Sequence, residues 1–378
     1  MIDRRKLKNF DFALFVITLL IIGFGLVILS SATHATMTRG GDTLTYVKKQ
    51  TLSIFLGLML LAVILKIDYS EFPKYSRFAY VLNVILLALV LVIGSEQNGA
   101  KSWISLGVFN LQPAEFAKIF VIITFAVYLS KREGQLNRFR DLLPTFVFFG
   151  IPLGLILMQP DLGSALVFIA IYFGMMFVAG ARPRNLIVLI LIGAILVGGV
   201  LTAQLAFDYD KPLKKYQLDR LTIFADPYKD PRHAGYHVIQ SQVALGSGGV
   251  WGKGLYRGTQ TQLNFLPEQR NDFIFSVVGE ELGFVGAASL LLFFYIFLHR
   301  GIRIAMGAKD MLGTLLATGI VSMIVFHLLV NVGMAAGIMP ITGIPLPFFS
   351  YGGSSMLANL MGVGILLNVY VRRLVLTF

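Results

Sequence analysis

The sequence predicts an all-α polytopic membrane protein with about ten transmembrane helices and one long extracytoplasmic loop that carries short interfacial helices. Three observations carry that prediction. Of 378 residues, 56% are hydrophobic and only 14% charged, against about a quarter charged in soluble domains. Apolar runs long enough to cross a bilayer, about 20 residues each, recur along the whole chain. Cations collect in alternate connections between those runs. Little polar sequence is left over, so residues 1–378 read as a single membrane domain with no soluble domain of ordinary size.

The runs fall at 12–31, 51–67, 78–94, 114–130, 143–158, 163–180, 186–206, 273–298, 312–336 and 353–371. The fifth and sixth are separated only by Gln159-Pro160-Asp161-Leu162, a tight turn. The first run is long and no small-residue cleavage site follows it, so it is expected to be a retained span and not a leader. With a cytoplasmic N-terminus, the inside segments hold 18 cations, from Arg4 and Arg5 to Arg372 and Arg373. The short outside loops hold four: Arg39, Lys48, Lys49 and Lys101. That bias orients both termini inward. The net charge of +12 is therefore a topology signal, and a nucleic-acid partner is not expected. The absence of cysteine excludes disulfides, thiolate metal sites and Cys nucleophiles.

The same orientation places 207–272 outside. This loop is too long for a simple connection and too rich in Tyr, Leu, Ile and Val to be unstructured. Leu213–Phe224 and Tyr236–Leu245 are expected to form short amphipathic helices in the membrane interface. The glycine-rich stretch Gly246–Gly254 reads as a tight turn; its alternative is a backbone nest for a diphosphate. It lacks the spacing of a Walker A motif. His233 and His237 are four apart, but no third ligand is near in sequence, so His237 is read as a structural or substrate-contact residue and not a metal ligand.

Charges within or beside the spans are the informative minority, because a charge at that depth is costly without a partner, water or a task. Glu115 and Lys118 share a helix face at the start of the fourth span, and Asp161 lies at the same outer level. Lys118 is expected to pair with Asp161 or Glu115, as a helix pin or as part of a site. Asp272 also reaches that level, in a polar stretch with Glu268 and Arg270 that opens the eighth span. Trp103 reads as an interfacial anchor, with sugar stacking as the alternative. His327 and Asn331, four apart in the ninth span, are expected to make interhelical hydrogen bonds, or to line a groove. The uncharged loop Ile338–Gly353 is expected to shape a cavity. Sugar transfer from a lipid diphosphate would suit these residues. It needs a base for the acceptor hydroxyl and cations, amides or a metal for the departing diphosphate. Asp272 can be that base or hold a divalent ion; Arg220, Arg257, Arg270 and Lys118 are the cation candidates. Residue chemistry alone leaves an outer-face membrane enzyme and a transporter open.

A series of motifs adds to this reading. In order they are Gly99-Ala-Lys-Ser-Trp-Ile, Gln112-Pro-Ala-Glu-Phe-Ala-Lys118, Gln159-Pro-Asp-Leu-Gly163, Ala234-Gly-Tyr-His-Val-Ile-Gln-Ser241, Gly246-Ser-Gly-Gly, Phe265-Leu-Pro-Glu with Asp272-Phe-Ile-Phe, Glu280-Glu-Leu-Gly, and Pro345-Leu-Pro-Phe-Phe-Ser-Tyr-Gly-Gly-Ser354. Together they resemble the SEDS family of bacterial membrane proteins over the whole chain. The stretch from Thr259-Gln260 to Leu263 is more similar to the elongation branch than to the division branch. The resemblance implies ten transmembrane helices and polymerisation of lipid II, an undecaprenyl-diphosphate-linked disaccharide peptide, at the outer face of the bacterial cytoplasmic membrane. It implies a class B penicillin-binding protein as transpeptidase partner, with other elongation-complex membrane proteins. It matches Asp272 to the family's essential Asp, Lys118 and Asp161 to an ion pair beside a central cavity, and Glu115 and Trp103 to activity-linked residues. Arg220, His237, Glu268 and Arg270 complete the expected substrate site. No cofactor is certain from the sequence, a divalent cation (Mg or Mn) being the open candidate. Ser102 and the pair Arg270-Asn271 depart from the family pattern, which often has Arg before the Trp and His-Thr before the Asp. A lipid II flippase is a competing reading, and so is a scaffold; a flippase would need charged lining across the whole bilayer.

Overall fold

The computed structural model describes residues 10–34, 44–97, 100–105, 110–207, 220, 223–224, 226–231 and 234–373. Its elements in order are α1 (Phe12–His34), α2 (Leu44–Lys66), a 3-10 turn (Tyr69–Glu71), α3 (Phe72–Ile93), β1 (Ser95–Gln97), β2 (Ala100–Ser105), β3 (Asn110–Leu111), α4 (Pro113–Ser130), α5 (Phe139–Met158), α6 (Leu162–Val178), α7 (Pro183–Phe207), α8 (Ala234–Ser247), α9 (Thr259–Gln262), α10 (Ile274–Met306), α11 (Met311–Ala335) and α12 (Gly353–Val371). Among the described residues nine helices are long and apolar enough to cross a membrane, and α6 is a shorter apolar helix. The chain is an all-α, multi-pass membrane protein.

Local chemistry sets the helix ends. Pro113 opens α4, where its missing N–H costs nothing. Asp161 caps α6 through Ser164 N at 2.9 Å, and Asp310 caps α11 through Gly313 N at 2.8 Å. The caps satisfy amides that a helix leaves unpaired at its start.

Three helices make the centre: within the spanning windows, 83% of α12, 72% of α4 and 67% of α11 is buried. They are buried on most sides, as helices surrounded by other helices are, and the few polar side chains they carry, among them Glu115, Lys118, His327 and Asn331, are buried with partners. The remaining helices ring them, with α7 only 6% buried and hence almost wholly turned toward lipid. Close approach at the centre depends on Gly25 of α1, where a Cβ would lie 3.0 Å from the Phe349 backbone.

A small antiparallel sheet, β1-β2-β3, joins α3 to α4. The sequence reading gave no strand here. Six-residue β2 pairs on both sides, which satisfies its backbone without a helix. The amphipathic helix expected at Tyr236–Leu245 is present as α8, whose Val238, Ser241 and Ala244 are buried. The one expected at Leu213–Phe224 lies, apart from Arg220, Ile223 and Phe224, outside the described residues.

The glycine-rich turn after α8 forms the expected tight turn and clasps α10: Gly252 N donates to Gly248 O, Lys253 N to Glu280 O and Gly254 N to Glu281 O, so these three amides are not open to a diphosphate. The clasp sits where α10 breaks at Gly283 (φ 65°, ψ −161°). A side chain there would be strained, and its Cβ would lie 2.4 Å from Gly252 N.

Candidate active site

At the end of the bundle that carries the sheet and the 248–272 segment, the helix ends enclose a cavity of about 500 Å³. Trp103, Glu115, Lys118, Asp161, Arg220, Glu268, Arg270 and Asp272 all line it. Eight side chains from five separate stretches of sequence therefore meet at one place.

The α4 wall is built from position. Glu115 and Lys118 lie on one face of the helix, and Lys118 Nζ contacts Glu115 Oε1 at 2.7 Å with both side chains buried. Lys118 Nζ also lies 3.1 Å from His327 Nε2, while His327 Nδ1 is 2.7 Å from Met323 O. A carbonyl can only accept, so Nδ1 holds the imidazole proton and Nε2 accepts from the ammonium. Two of the three ammonium hydrogens are thereby directed, and Lys118 still borders the cavity. The expected Lys118–Asp161 pair is not made: Lys118 pairs with Glu115, three residues away on its own helix. Asp161 is instead held by its capping role, taking Ser164 N at 2.9 Å, Ser164 Oγ at 2.8 Å and Gln112 Nε2 at 3.4 Å.

Asp272 stands on the opposite wall, just before α10. Its backbone N–H donates to Glu268 O at 3.1 Å. Among the described residues its carboxylate accepts no hydrogen bond from the protein, and the residue is half-buried at the cavity. Burial pushes its pKa up to about 7; the Glu268 charge adds to the rise and the Arg220 guanidinium opposes it. Desolvation and a like charge both disfavour ionisation. A carboxyl titrating near neutrality and open to a cavity is placed to exchange a proton with a bound hydroxyl.

The cations take separate stations. Arg270 lies over the Tyr46 ring at 4.5 Å, and Tyr46 packs edge-on to Tyr351. Arg220 Nη1 reaches Thr342 O at 3.5 Å. Trp103, half-buried on β2, presents a ring to the cavity instead of lying only among lipid. Residues 342–345 and 351–355 close the remaining side, as expected of the uncharged loop.

Of the two roles read for His237, structural and substrate-contact, the structure shows the first: it does not line the cavity with the other expected site residues, and its ring packs 6.3 Å from that of Phe273. Burial holds its pKa below the usual histidine value; Glu268 raises it and Arg220 lowers it further. The packing of α8 against α10 turns this side chain inward. Lys49, which the sequence reading used only in the charge balance, does line the cavity. Tyr46 and Lys49, three apart at the start of α2, carried that signal. His327 proves to be a cavity residue as well as an interhelical one.

Among the described residues no three His, Asp or Glu side chains converge to hold a metal ion. Asp272 and Glu268 are the acidic pair that could share one with a substrate diphosphate. Mg²⁺ keeps several waters and takes one or two carboxylates plus phosphates, which fits such a pair.

A family model described as cell cycle protein, covering FtsW, RodA and SpoVE, matches residues 12–374. Stage V sporulation protein E of Bacillus subtilis is 39% identical over 95% of this chain and 96% of its own. A protein of Geobacter sp. strain M18, named "Probable peptidoglycan glycosyltransferase FtsW", is 36% identical over 97% and 98%. A structure of "a peptidoglycan synthase complex", described as coordinating polymerization and crosslinking, contains a chain that superposes with TM-score 0.80 at 33% identity, covering 96% of this chain and 97% of that one. The rod shape determining protein RodA of Thermus thermophilus superposes with TM-score 0.70 at 31% identity over 96% and 97%. With matches of this extent in sequence and in fold, the chain belongs to the FtsW/RodA/SpoVE family, the SEDS membrane proteins.

Proposed function

We propose that this protein is a peptidoglycan glycosyltransferase that polymerises lipid II into glycan strands on the extracytoplasmic face of the cytoplasmic membrane. The single observation that carries the reading is Asp272: a carboxylate that accepts no hydrogen bond from the described residues, titrating near 7, facing a cavity that also holds Lys118, Arg220 and Arg270. Relatives named as peptidoglycan glycosyltransferases supply the reaction class.

Asp272 takes the proton of the acceptor sugar hydroxyl as that oxygen attacks the anomeric carbon of the donor. The new glycosidic bond forms while the bond from that carbon to the diphosphate oxygen breaks, and the diphosphate leaves with the electron pair. Lys118, Arg220 and Arg270 stabilise its charge, and Trp103 offers a ring face to a sugar. A divalent cation, held by Asp272 and Glu268 together with the diphosphate, would supply further charge neutralisation. Both termini lie in the cytoplasm on the charge pattern above, which puts the cavity outside.

The flippase reading needs a charged path across the bilayer, whereas the carboxylates and cations described here gather at one end. A class B penicillin-binding protein is the partner we propose, supported by the likeness to the synthase complex. The elongation role rests on the Thr259–Leu263 stretch; over the whole chain the sporulation and division relatives are 39% and 36% identical, against 33% for a RodA of Treponema pallidum. Replacement of either polymerase in depleted cells separates these roles. Rescue of rod shape, with no rescue of division, is the expected outcome.

The direct test is glycan polymerisation from purified lipid II by this protein with its class B partner. Asp272→Ala and Asp272→Asn should lose about 10²–10⁴ in rate while still folding and binding the partner. Normal polymerisation by Asp272→Ala would sink the assignment.

A further inference from the structure

The Asp272 carboxylate accepts no hydrogen bond from the described residues, but the main chain that carries it is firmly held. Three successive carbonyls are fastened from outside their own segment. Tyr351 N donates to Arg270 O at 2.9 Å. Ser350 Oγ donates to Asn271 O at 2.6 Å. Asn331 Nδ2 donates to Asp272 O at 2.9 Å. The first backbone bonds of α10 go to Phe273 O, so the Asp272 carbonyl is not needed by the helix. All three donors come from α11 or from the 340–353 connection after it.

Asn331 does more than the other two. Its second amide hydrogen goes to Ile344 O at 2.8 Å, and the residue is fully buried. Its Oδ1 has no partner among the described residues. The side chain is thus committed as a double donor between the Asp272 peptide and the 342–345 strand of chain. That strand lies directly against the carboxylate: a Cβ on Gly343 (φ 72°) would be 3.5 Å from Asp272 Oδ2. The connection is itself tied to α2, since Gln50 Nε2 donates to Ser350 O at 3.1 Å and Gly352 N to Gln50 Oε1 at 3.2 Å.

We infer that Asn331 is a positioning residue for Asp272: by donating to Asp272 O and Ile344 O at once, it fixes the carboxylate against the 342–345 chain and keeps it enclosed. Ser350 is its auxiliary on the preceding carbonyl. The inference rests on the proposal that Asp272 is the base. A reacting group displaced by about 1 Å can lose about 100-fold in rate, so a bridge of this kind acts on turnover and not on substrate affinity.

The test is polymerisation by the full chain with its partner, comparing wild type, Asn331→Ala, Ser350→Ala and Asp272→Asn. Asn331→Ala should lower kcat about 10- to 100-fold and leave KM for lipid II within about twofold. Ser350→Ala should do the same to a smaller degree. It decides the matter if Asn331→Ala does not fold. Wild-type kcat in a folded variant would overturn the inference, as would a loss that only tracks the amount of folded protein. If Asp272→Asn is inactive and the bridge variants are normal, the inference alone fails. If Asp272→Asn is active, the proposed base fails first.

Discussion

Two acidic clusters lie on one stretch of chain, eight residues apart, and they are treated in opposite ways. Glu280 is saturated. Lys253 Nζ reaches it at 2.7 Å, Thr261 Oγ1 at 2.8 Å, Gln260 N at 2.8 Å and Thr261 N at 3.1 Å. Glu281 beside it takes Ser31 Oγ at 2.7 Å and Gln262 Nε2 at 3.3 Å. Both are fully buried and neither lines the cavity. Among the described residues Asp272 has no such donors; it lines the cavity and is held by its backbone instead. A buried carboxylate surrounded by donors, as Glu280 is, stabilises a fold. A carboxylate left unengaged beside a cavity costs stability and is available for chemistry. Partners, not depth alone, separate the structural acids from the reactive one.

The largest effect that would break this comparison is on rate. Asp272→Asn should abolish most polymerisation and leave the unfolding temperature unchanged or raised. Glu280→Ala should do the reverse. Removing one partner of a buried ion pair costs about 3–5 kcal/mol, and here the contacts from Thr259 Oγ1, Gln260 N, Thr261 N and Thr261 Oγ1 go with it. Thermal unfolding in detergent should show a large fall for Glu280→Ala. A wild-type unfolding temperature would remove the structural reading of that cluster.

The pH dependence is the next effect in size. The folded pKa of Asp272, about 7, is above its ordinary value of 3.8. Below about pH 4 the group is protonated in both states and costs nothing. As pH rises from about 4 to 7 the unfolded chain ionises first, so the stability this group contributes is lost progressively across that window. Above about 7 the loss is complete. Wild-type protein should therefore unfold at a lower temperature at pH 8 than at pH 5 by a margin that Asp272→Asn removes. Polymerisation should rise through the same upper limit, because the base must be ionised. An acid limb near pH 4 would mean that Asp272 is solvated in the working enzyme.

Much of this was legible in the residues. Apolar runs located every long helix, because a membrane span is set by length and composition, but some ends were missed by six to eight residues, as at the start of α2 and the end of α10. Asp272, Lys118 and Glu115 stood out because ionisable groups in an oily chain need a reason. What the chain could not disclose was pairing in three dimensions. Lys118 had two carboxylates in prospect, and only the fold shows that Asp161 is spent on capping α6. Strands β1 to β3 are too short to leave a period in the sequence. His237 looked like Trp103 or Arg220 as a loop residue, and the direction it faces depends on how α8 packs. Asn331 was read as an interhelical hydrogen-bonding residue, but its partners are two main-chain carbonyls that no sequence pattern marks.

The smallest expected effect sharpens the comparison most. Glu281 differs from Glu280 in one respect: its Oε2 is buried without a partner among the described residues, while Oε1 takes both side-chain donors. Glu281→Gln can keep an oxygen at the Oε1 position and place its amide where Oε2 stood. One neutral acceptor then replaces a charged one, and a net hydrogen bond is worth about 1 kcal/mol. Unfolding should shift by no more than about that amount, with the polymerisation rate unchanged. A variant that unfolds like wild type yet fails to polymerise would show that the second cluster reaches the reaction through α10, and the division between structural and reactive acids would have to be redrawn at Glu281.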